Sequence, residues 1–324
     1  MCLPYAAPPT LTRPAVTQTT PPPFDPRPGI ALQLDEGLRL VLAPNPSPMT
    51  ERGTNTYLLG TGVVTVLDPG PANPIHLRAI LAALAPGERI GRILVSHSHI
   101  DHAPGARPLG HETGAPVLAF GDADAGMSDR MRSLSRQSIG GGEGIDQGFA
   151  PDERLPDGTE LDVGGRALRA IHTPGHLGNH LCFHWGEALF TGDQVMGWAP
   201  SLVSPPDGDL TDFMASLDRL EAEGPTRLYP GHGAPVADGP ARIRALRAHR
   251  KGREGAILDA LANGADTVQT ITDAVYTDVP AALLPAAARN VLAHLIDLAA
   301  RGRVAFDGAI TLSARVAALP ARRA

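Results

Sequence analysis

From about Ile30 onward the chain alternates short apolar runs with turns punctuated by glycine and proline, and the period of the apolar positions changes along the way. Residues 38–43 and 56–67 carry Tyr57-Leu58-Leu59 and Val63-Val64-Thr65-Val66-Leu67, short stretches rich in β-branched and aromatic side chains that predict strands. Asp68-Pro69-Gly70 closes the second stretch as a turn. Leu77, Ile80, Leu81 and Leu84 then recur at helical spacing, and Arg92-Ile93-Leu94-Val95-Ser96 follows as a buried-type strand. Further strands are predicted at 167–171, 181–185, 188–191 and 226–229. Leu210, Phe213, Met214, Leu217 and Leu220 line one face of a helix that Asp209 can cap. Strand and helix in alternation are the mark of an α/β domain.

Two irregular stretches break this order. One spans about 121–160 and contains Gly140–Gly144, read as a flexible lid; the other spans 196–209 and contains Trp198 and Pro205-Pro206-Asp207-Gly208-Asp209. Beyond about 240 the pattern turns to Ala/Leu/Arg-rich helices at roughly 241–262, 267–277 and 286–301, with a hairpin expected over 303–312. Residues 1–28 hold nine prolines and no periodicity, as an extended arm without its own core does. The chain is therefore divided into an arm (1–28), a catalytic domain (29–239) and a helical C-terminal domain (240–324).

Composition narrows the classes. With 324 residues and 43% hydrophobic content the chain can bury a large core. No run reaches the roughly 18 apolar residues of a membrane span, and the N-terminus lacks the features of a secretory signal. Cys2 and Cys182 are the only cysteines, too few for a disulfide framework. The expectation is a cytoplasmic enzyme without a membrane partner. Residues 240–324 carry 12 Lys/Arg against 7 Asp/Glu, whereas the rest is acidic. Such a basic tail can either meet nucleic acid or dock on the body.

The decisive segment is Ser96-His97-Ser98-His99-Ile100-Asp101-His102. Packing does not explain four potential metal ligands within six residues at the end of a strand. Histidines at i and i+2 of extended chain point the same way, so His97 and His99 can share one ion. A turn then aims Asp101 and His102 at a second. Three later turns complete the set: Thr173-Pro174-Gly175-His176, Thr191-Gly192-Asp193 and Tyr229-Pro230-Gly231-His232-Gly233. His97, His99 and His176 suit one ion; Asp101, His102 and His232 suit the other; Asp193 is placed to bridge. Imidazole and carboxylate donors favour zinc, and iron or manganese also fit. Two divalent ions per chain would lower the pKa of a bridging water and generate hydroxide for attack on a carbonyl or phosphorus centre. Asp101 would orient that hydroxide and relay its proton. His180, four residues past His176, reads as a proton donor to the leaving group or a substrate-stacking group, with a structural histidine as the alternative. Asp68 is expected to hold the metal loop by hydrogen bonds.

With HxHxDH followed in order by lone His, Asp and His, the sequence resembles the metallo-β-lactamase superfamily over about residues 30–235. That resemblance implies a four-layer αββα sandwich with the metals at one edge. Aspartate at 193, where the commonest zinc β-lactamases use cysteine, and histidine at 99, where diiron oxygen-reducing members use glutamate, leave a hydrolytic dinuclear enzyme. Pro205-Pro206-Asp207-Gly208-Asp209-Leu210, Tyr229-Pro230-Gly231-His232-Gly233 and His249-Arg250 before a helical tail resemble the β-lactamase-like protein 2 group. The resemblance implies a small winged-helix domain at the C-terminus. It also implies either of two activities: single-stranded RNA cleavage, as in the animal branch, or hydrolysis of carrier-bound thioesters, as in fungal relatives. The acidic body and an aromatic content of 4% favour an ester or thioester substrate, small or carrier-bound, over RNA. A non-catalytic metal-containing module is the third reading. Residues 286–297 are mostly apolar, so sequence-specific DNA binding by this element is not expected.

Overall fold

The computed structural model describes residues 24–137 and 139–320; the proline-rich arm falls largely outside them. Phe24, just past the undescribed part, packs against the central core. Seven strands run in sequential order in the first sheet: β1 (Ala31–Asp35), β2 (Leu38–Leu42), β3 (Asn55–Leu59), β4 (Val63–Leu67), β5 (Arg89–Leu94), β6 (Val117–Ala119) and β7 (Glu153–Arg154). The first four pair antiparallel and the last four parallel. Parallel neighbours need a crossover, and α1 (Pro74–Ala82), α2 (Ala106–Thr113) and α3 (Asp129–Ser135) lie in those connections. Five strands form the second sheet: β8 (Glu160–Val163), β9 (Arg166–His172), β10 (Leu181–Trp185), β11 (Ala188–Gly192) and β12 (Arg227–Pro230), with α4 (Leu210–Ala222) linking the parallel pair β11 and β12.

Period-two patterning stacks the layers. On β2 and β3, Leu38, Leu40, Leu42, Tyr57 and Leu59 face the second sheet, whereas Val41 and Leu58 face α1 and α2. On β10, Leu181, Phe183 and Trp185 face the first sheet, and Cys182 faces α4. Burial of each such large apolar side chain stabilises the fold by roughly 1.5–3 kcal/mol. The result is the four-layer αββα sandwich expected from the sequence. The 56–67 stretch splits into β3 and β4 around a turn at Gly60–Gly62. Asp209 does cap α4, accepting from Thr211 N.

A single helix, α5 (Gly239–Ala262), leaves the second sheet's outer layer through Ile243 and Leu246 and enters a separate core through Ile257 and Ala260. That core also holds α6 (Val268–Val275), α7 (Leu284–Ala300) and the hairpin of β13 (Val304–Asp307) and β14 (Arg315–Ala318), a helical winged-helix unit. The second hairpin strand lies beyond the expected 303–312, because residues 308–314 form the connection. Ala281–Ala300 is long and apolar enough to cross a membrane by composition alone, and half of it is buried in these cores.

Candidate metal centre

The chain ends of β5, β9, β11 and β12 lie at one edge of the sandwich, and every candidate ligand follows one of them. Asp68 prepares the first loop. It adopts φ +51°, a left-handed conformation that aspartate tolerates better than most residues. In that pose Oδ1 accepts from Ser96 N at 2.7 Å, and Oδ2 accepts from Ser96 Oγ at 2.7 Å and His102 Nδ1 at 2.9 Å. The Ser96 hydroxyl proton is thereby used, so its oxygen accepts from His97 Nδ1 at 2.9 Å. His176 Nδ1 donates to the Leu202 carbonyl at 2.7 Å and His232 Nδ1 to the Gly53 carbonyl at 3.2 Å. Four imidazoles thus have Nδ1 engaged with an oxygen acceptor and Nε2 left with its lone pair turned to the site.

These lone pairs converge in two sets. His97 Nε2 and His176 Nε2 lie 2.9 and 3.0 Å from His99 Nδ1, and Asp193 joins them. His102 Nε2 and His232 Nε2 lie 3.1 Å apart, with Asp101 Oδ2 at 3.1 Å from the latter. Ligands at 2.0–2.1 Å from one tetrahedral ion would be separated by about 3.3 Å, close to these spacings. The Asp193 carboxylate stands between the sets: Oδ2 is 3.6 Å from His176 Nε2, and Oδ1 is 3.4 Å from both His102 Nε2 and His232 Nε2. Oδ1 is buried without a hydrogen-bond partner. A buried carboxylate oxygen without a hydrogen bond, set among imidazole nitrogens, fits a cation. Close approach requires Gly231, where a Cβ would lie 2.7 Å from Asp193 Oδ1 and from His102 Cε1.

The two sets differ in charge. Burial and neighbouring imidazoles lower the pKa of His97, His99 and His176, that of His99 to about 3, so the three imidazoles of the first set are neutral. In the second set burial is outweighed by carboxylates: Asp101, Asp193 and Asp68 raise His102, and Asp193 with Asp101 raises His232 to about 9. Burial likewise disfavours the Asp101 and Asp193 carboxylates, yet His102 and His232 hold both below the usual range. Without a cation this set gathers protons in its place.

All seven sequence-derived ligand candidates meet here. His180 lies beside them, fully buried; its Nδ1 faces Thr173 Oγ1 at 2.9 Å, and its Nε2 accepts from Asp193 N at 3.2 Å. Asn55, at the start of β3, ties the His232 turn by donating to the Pro230 and Gly233 carbonyls. Gly140–Gly144 is laced into its surroundings. Gly142 N donates to Asp207, Ile100 N donates to Gly144 O, and Arg289 lies against Gly140. Ser96, Thr173, Gly53 and Leu202 escape sequence reading, since all four act on the imidazoles through oxygens that any residue or any hydroxyl could supply.

Residues 49–232 match the family model described as the metallo-beta-lactamase superfamily. This chain belongs to that superfamily. Residues 267–311 match the beta-lactamase associated winged helix domain, and the protein is a metal-dependent hydrolase of the metallo-beta-lactamase fold with a winged-helix unit attached. A beta-lactamase-like protein 2 homolog of Caenorhabditis elegans is 31% identical, covering 80% of this chain and 83% of its own length. An atrochrysone carboxyl ACP thioesterase of Aspergillus chevalieri is 30% identical, covering 82% of each chain. Among solved structures, a metallo-beta-lactamase family protein from Thermus thermophilus superposes with TM-score 0.70 at 26% identity, covering 89% of this chain and all of that one. A beta-lactamase domain protein from Burkholderia ambifaria shares the fold with TM-score 0.77 at 22% identity, over 92% of this chain and 96% of that one.

Proposed function

We propose that this metallo-beta-lactamase superfamily member is a dinuclear hydrolase of acyl esters and thioesters, acting on small or carrier-bound substrates. The observation that carries the two-ion reading is Asp193, whose two carboxylate oxygens each face a separate ligand set. Two divalent cations held there, zinc being best suited to the His/Asp donors, would supply hydroxide at neutral pH and polarise the carbonyl oxygen. Asp101 is the most open of the second-set ligands, and its carboxylate is placed to orient the attacking oxygen and take its proton. Attack forms the new carbon–oxygen bond, the carbon–sulfur bond breaks, and the departing thiolate takes up the proton. His180 is read as a positioning group, because its Nε2 is occupied in accepting from the Asp193 backbone.

Two features support a carbonyl substrate. Exposed apolar side chains stand beside the ligands: Ile100 lies between His99 and Asp101, and Trp198 rests on Gly233 beside His232. Arginines nearby are committed to protein acceptors: Arg130 to Asp209, and Arg242 to the Met196 and Ala199 carbonyls. A relative of comparable identity is named as a carrier-protein thioesterase. The test is release of free thiol from acyl-pantetheine and acyl-carrier thioesters by zinc-loaded protein, with Asp193→Ala as the blank and metal content measured on both. Turnover and two ions per chain, both lost in the variant, are expected. Normal turnover by a folded Asp193→Ala protein, or cleavage of labelled single-stranded RNA without thioester hydrolysis, would overturn the reading.

A further inference from the structure

The winged-helix unit reaches into the metal centre through one peptide plane. Asn290 of α7 accepts at Oδ1 from Val203 N at 3.1 Å. The carbonyl of that same peptide unit is Leu202 O, which accepts from His176 Nδ1 at 2.7 Å. A trans peptide is rigid, with its N–H and C=O directed to opposite sides, so fixing one end fixes the other. The neighbouring peptide is held as well: Arg250 of α5 donates to the Ser201 carbonyl and, at 3.1 Å, to Asn290 Oδ1. Arg289 of α7 extends the clamp, donating to Ser204 Oγ at 2.8 Å, to the Pro205 carbonyl, and to the Ile139 carbonyl at 2.8 Å. Both arginines are buried. Burying guanidinium groups is costly unless acceptors are fixed around them, and most of these acceptors are backbone carbonyls of the loops that wall the metal centre. Residues 201–205 carry no regular structure of their own. Their shape therefore depends on the helices behind them.

We propose that Asn290, with Arg250 behind it, is a positioning residue for the metal ion of the His97, His99 and His176 set. It holds the Leu202–Val203 peptide so that the His176 ring presents Nε2 to the ion. The C-terminal unit is then a structural part of the metal site and not an independent appendage. This rests on the dinuclear reading above for the existence of two separable ions.

The test is a metal titration of the full chain against a chromophoric chelator, using zinc. Asn290→Ala is expected to weaken one of the two ions by about 10- to 100-fold, the range for losing a group that orients a ligand. Asn290→Asp keeps an acceptor for both Val203 N and Arg250 and is expected to restore near-normal affinity. In a His176→Ala background, Asn290→Ala should add no further loss, since the two act on one ion. Should Asn290→Ala fail to fold, the near-isosteric Asn290→Leu carries the same expectation. Normal affinity at both sites, equal weakening of both, or an additive loss with His176→Ala would overturn the proposal. The unsubstituted protein separates the two ideas. Fewer than two ions there refutes the dinuclear reading, and the effect of Asn290 is then read on the ion that His176→Ala removes.

Discussion

Asp68 Oδ2 lies 2.9 Å from His102 Nδ1, and the carboxylate reaches it because Asp68 holds a left-handed backbone at the end of β4. The same group accepts from Ser96 N and Oγ, so one side chain fixes the start of the HxHxDH loop and a ring within it. Asp68→Ala removes all three bonds and leaves the donors buried. Metal affinity is expected to fall about 10- to 100-fold, and the metal-free protein should be destabilised by about 1–3 kcal/mol. Asp68→Asn accommodates the backbone and should cost less stability than alanine while still weakening the metal. Chelator titration beside denaturant melts checks both, and unchanged affinity in Asp68→Ala would refute the assigned role.

Gly231 is a matter of space. A Cβ at this position would lie 2.7 Å from both Asp193 Oδ1 and His102 Cε1, a distance that forces the Asp193 carboxylate or the ring to move. Gly231→Ala is expected to leave a folded protein, destabilised by about 1–3 kcal/mol from overpacking, that binds metal poorly at both sets. Elemental analysis after dialysis reads the outcome directly.

The carboxylates around His102 and His232 link metal, protons and stability. Asp193 and Asp101 outweigh burial and raise His232 to about 9, above the unfolded value near 6.5. The protonated form therefore stabilises the metal-free fold. This contribution is complete below about 6.5 and disappears as pH rises through about 9. The metal-free protein should lose thermal stability between these limits, and the zinc-loaded protein should not, since the cation replaces the proton. For the same reason, zinc affinity should rise with pH up to about 9. Parallel melting curves of metal-free and zinc-loaded protein at pH 6.5 and 9 measure the difference.

Much of this was legible in the sequence, and what was not has a physical cause. Strands β2, β10 and β11 show because most of their side chains are apolar and buried on both faces, with Arg39, His184 and Thr191 as the polar exceptions. Strands β6 and β7 did not show; they hold 3 and 2 residues, too few to display a period. The candidate ligands are readable because imidazoles and carboxylates gather in the turns that follow strands, beside glycine and proline. The acceptors on their far sides are not. Leu202 and Gly53 act through backbone carbonyls, to which residue type contributes nothing. Nor was the lacing of Gly140–Gly144 visible, because its partners Asp207 and Arg289 lie 65 or more positions away.

Trp198 offers the simplest handle on specificity. Its ring lies on Gly233, where a Cβ would come within 2.6 Å of Trp198 Cδ1, yet the side chain is 40% exposed beside the His232 turn. An acyl chain reaching the centre would cover the exposed face of the indole. Trp198→Ala is expected to raise KM for long-chain or aryl thioesters by about fivefold, equivalent to about 1 kcal/mol of lost contact. For acetyl thioesters KM and kcat should stay nearly unchanged. Equal effects on short and long acyl groups would remove Trp198 from the substrate path.

His294 tests the winged-helix core. It sits on α7 at 1% exposure, and neither ring nitrogen has a hydrogen-bond partner. Burial, reinforced by the Arg250 charge, lowers its pKa to about 3, whereas the unfolded chain titrates near 6.5. The unfolded state thus takes up a proton that the folded state refuses, and stability falls as pH drops below about 6.5. The slope is about 1.4 kcal/mol per pH unit, which gives roughly 2 kcal/mol at pH 5. His294→Leu removes both the titration and two unsatisfied buried nitrogens. The variant should match or exceed the parent protein at pH 7.5 and exceed it by about 2 kcal/mol more at pH 5. Urea melts of chelator-treated proteins at the two pH values isolate this difference, because the metal ligands titrate alike in both. An identical pH dependence would mean that His294 finds a partner or water in solution and does not contribute to acid sensitivity.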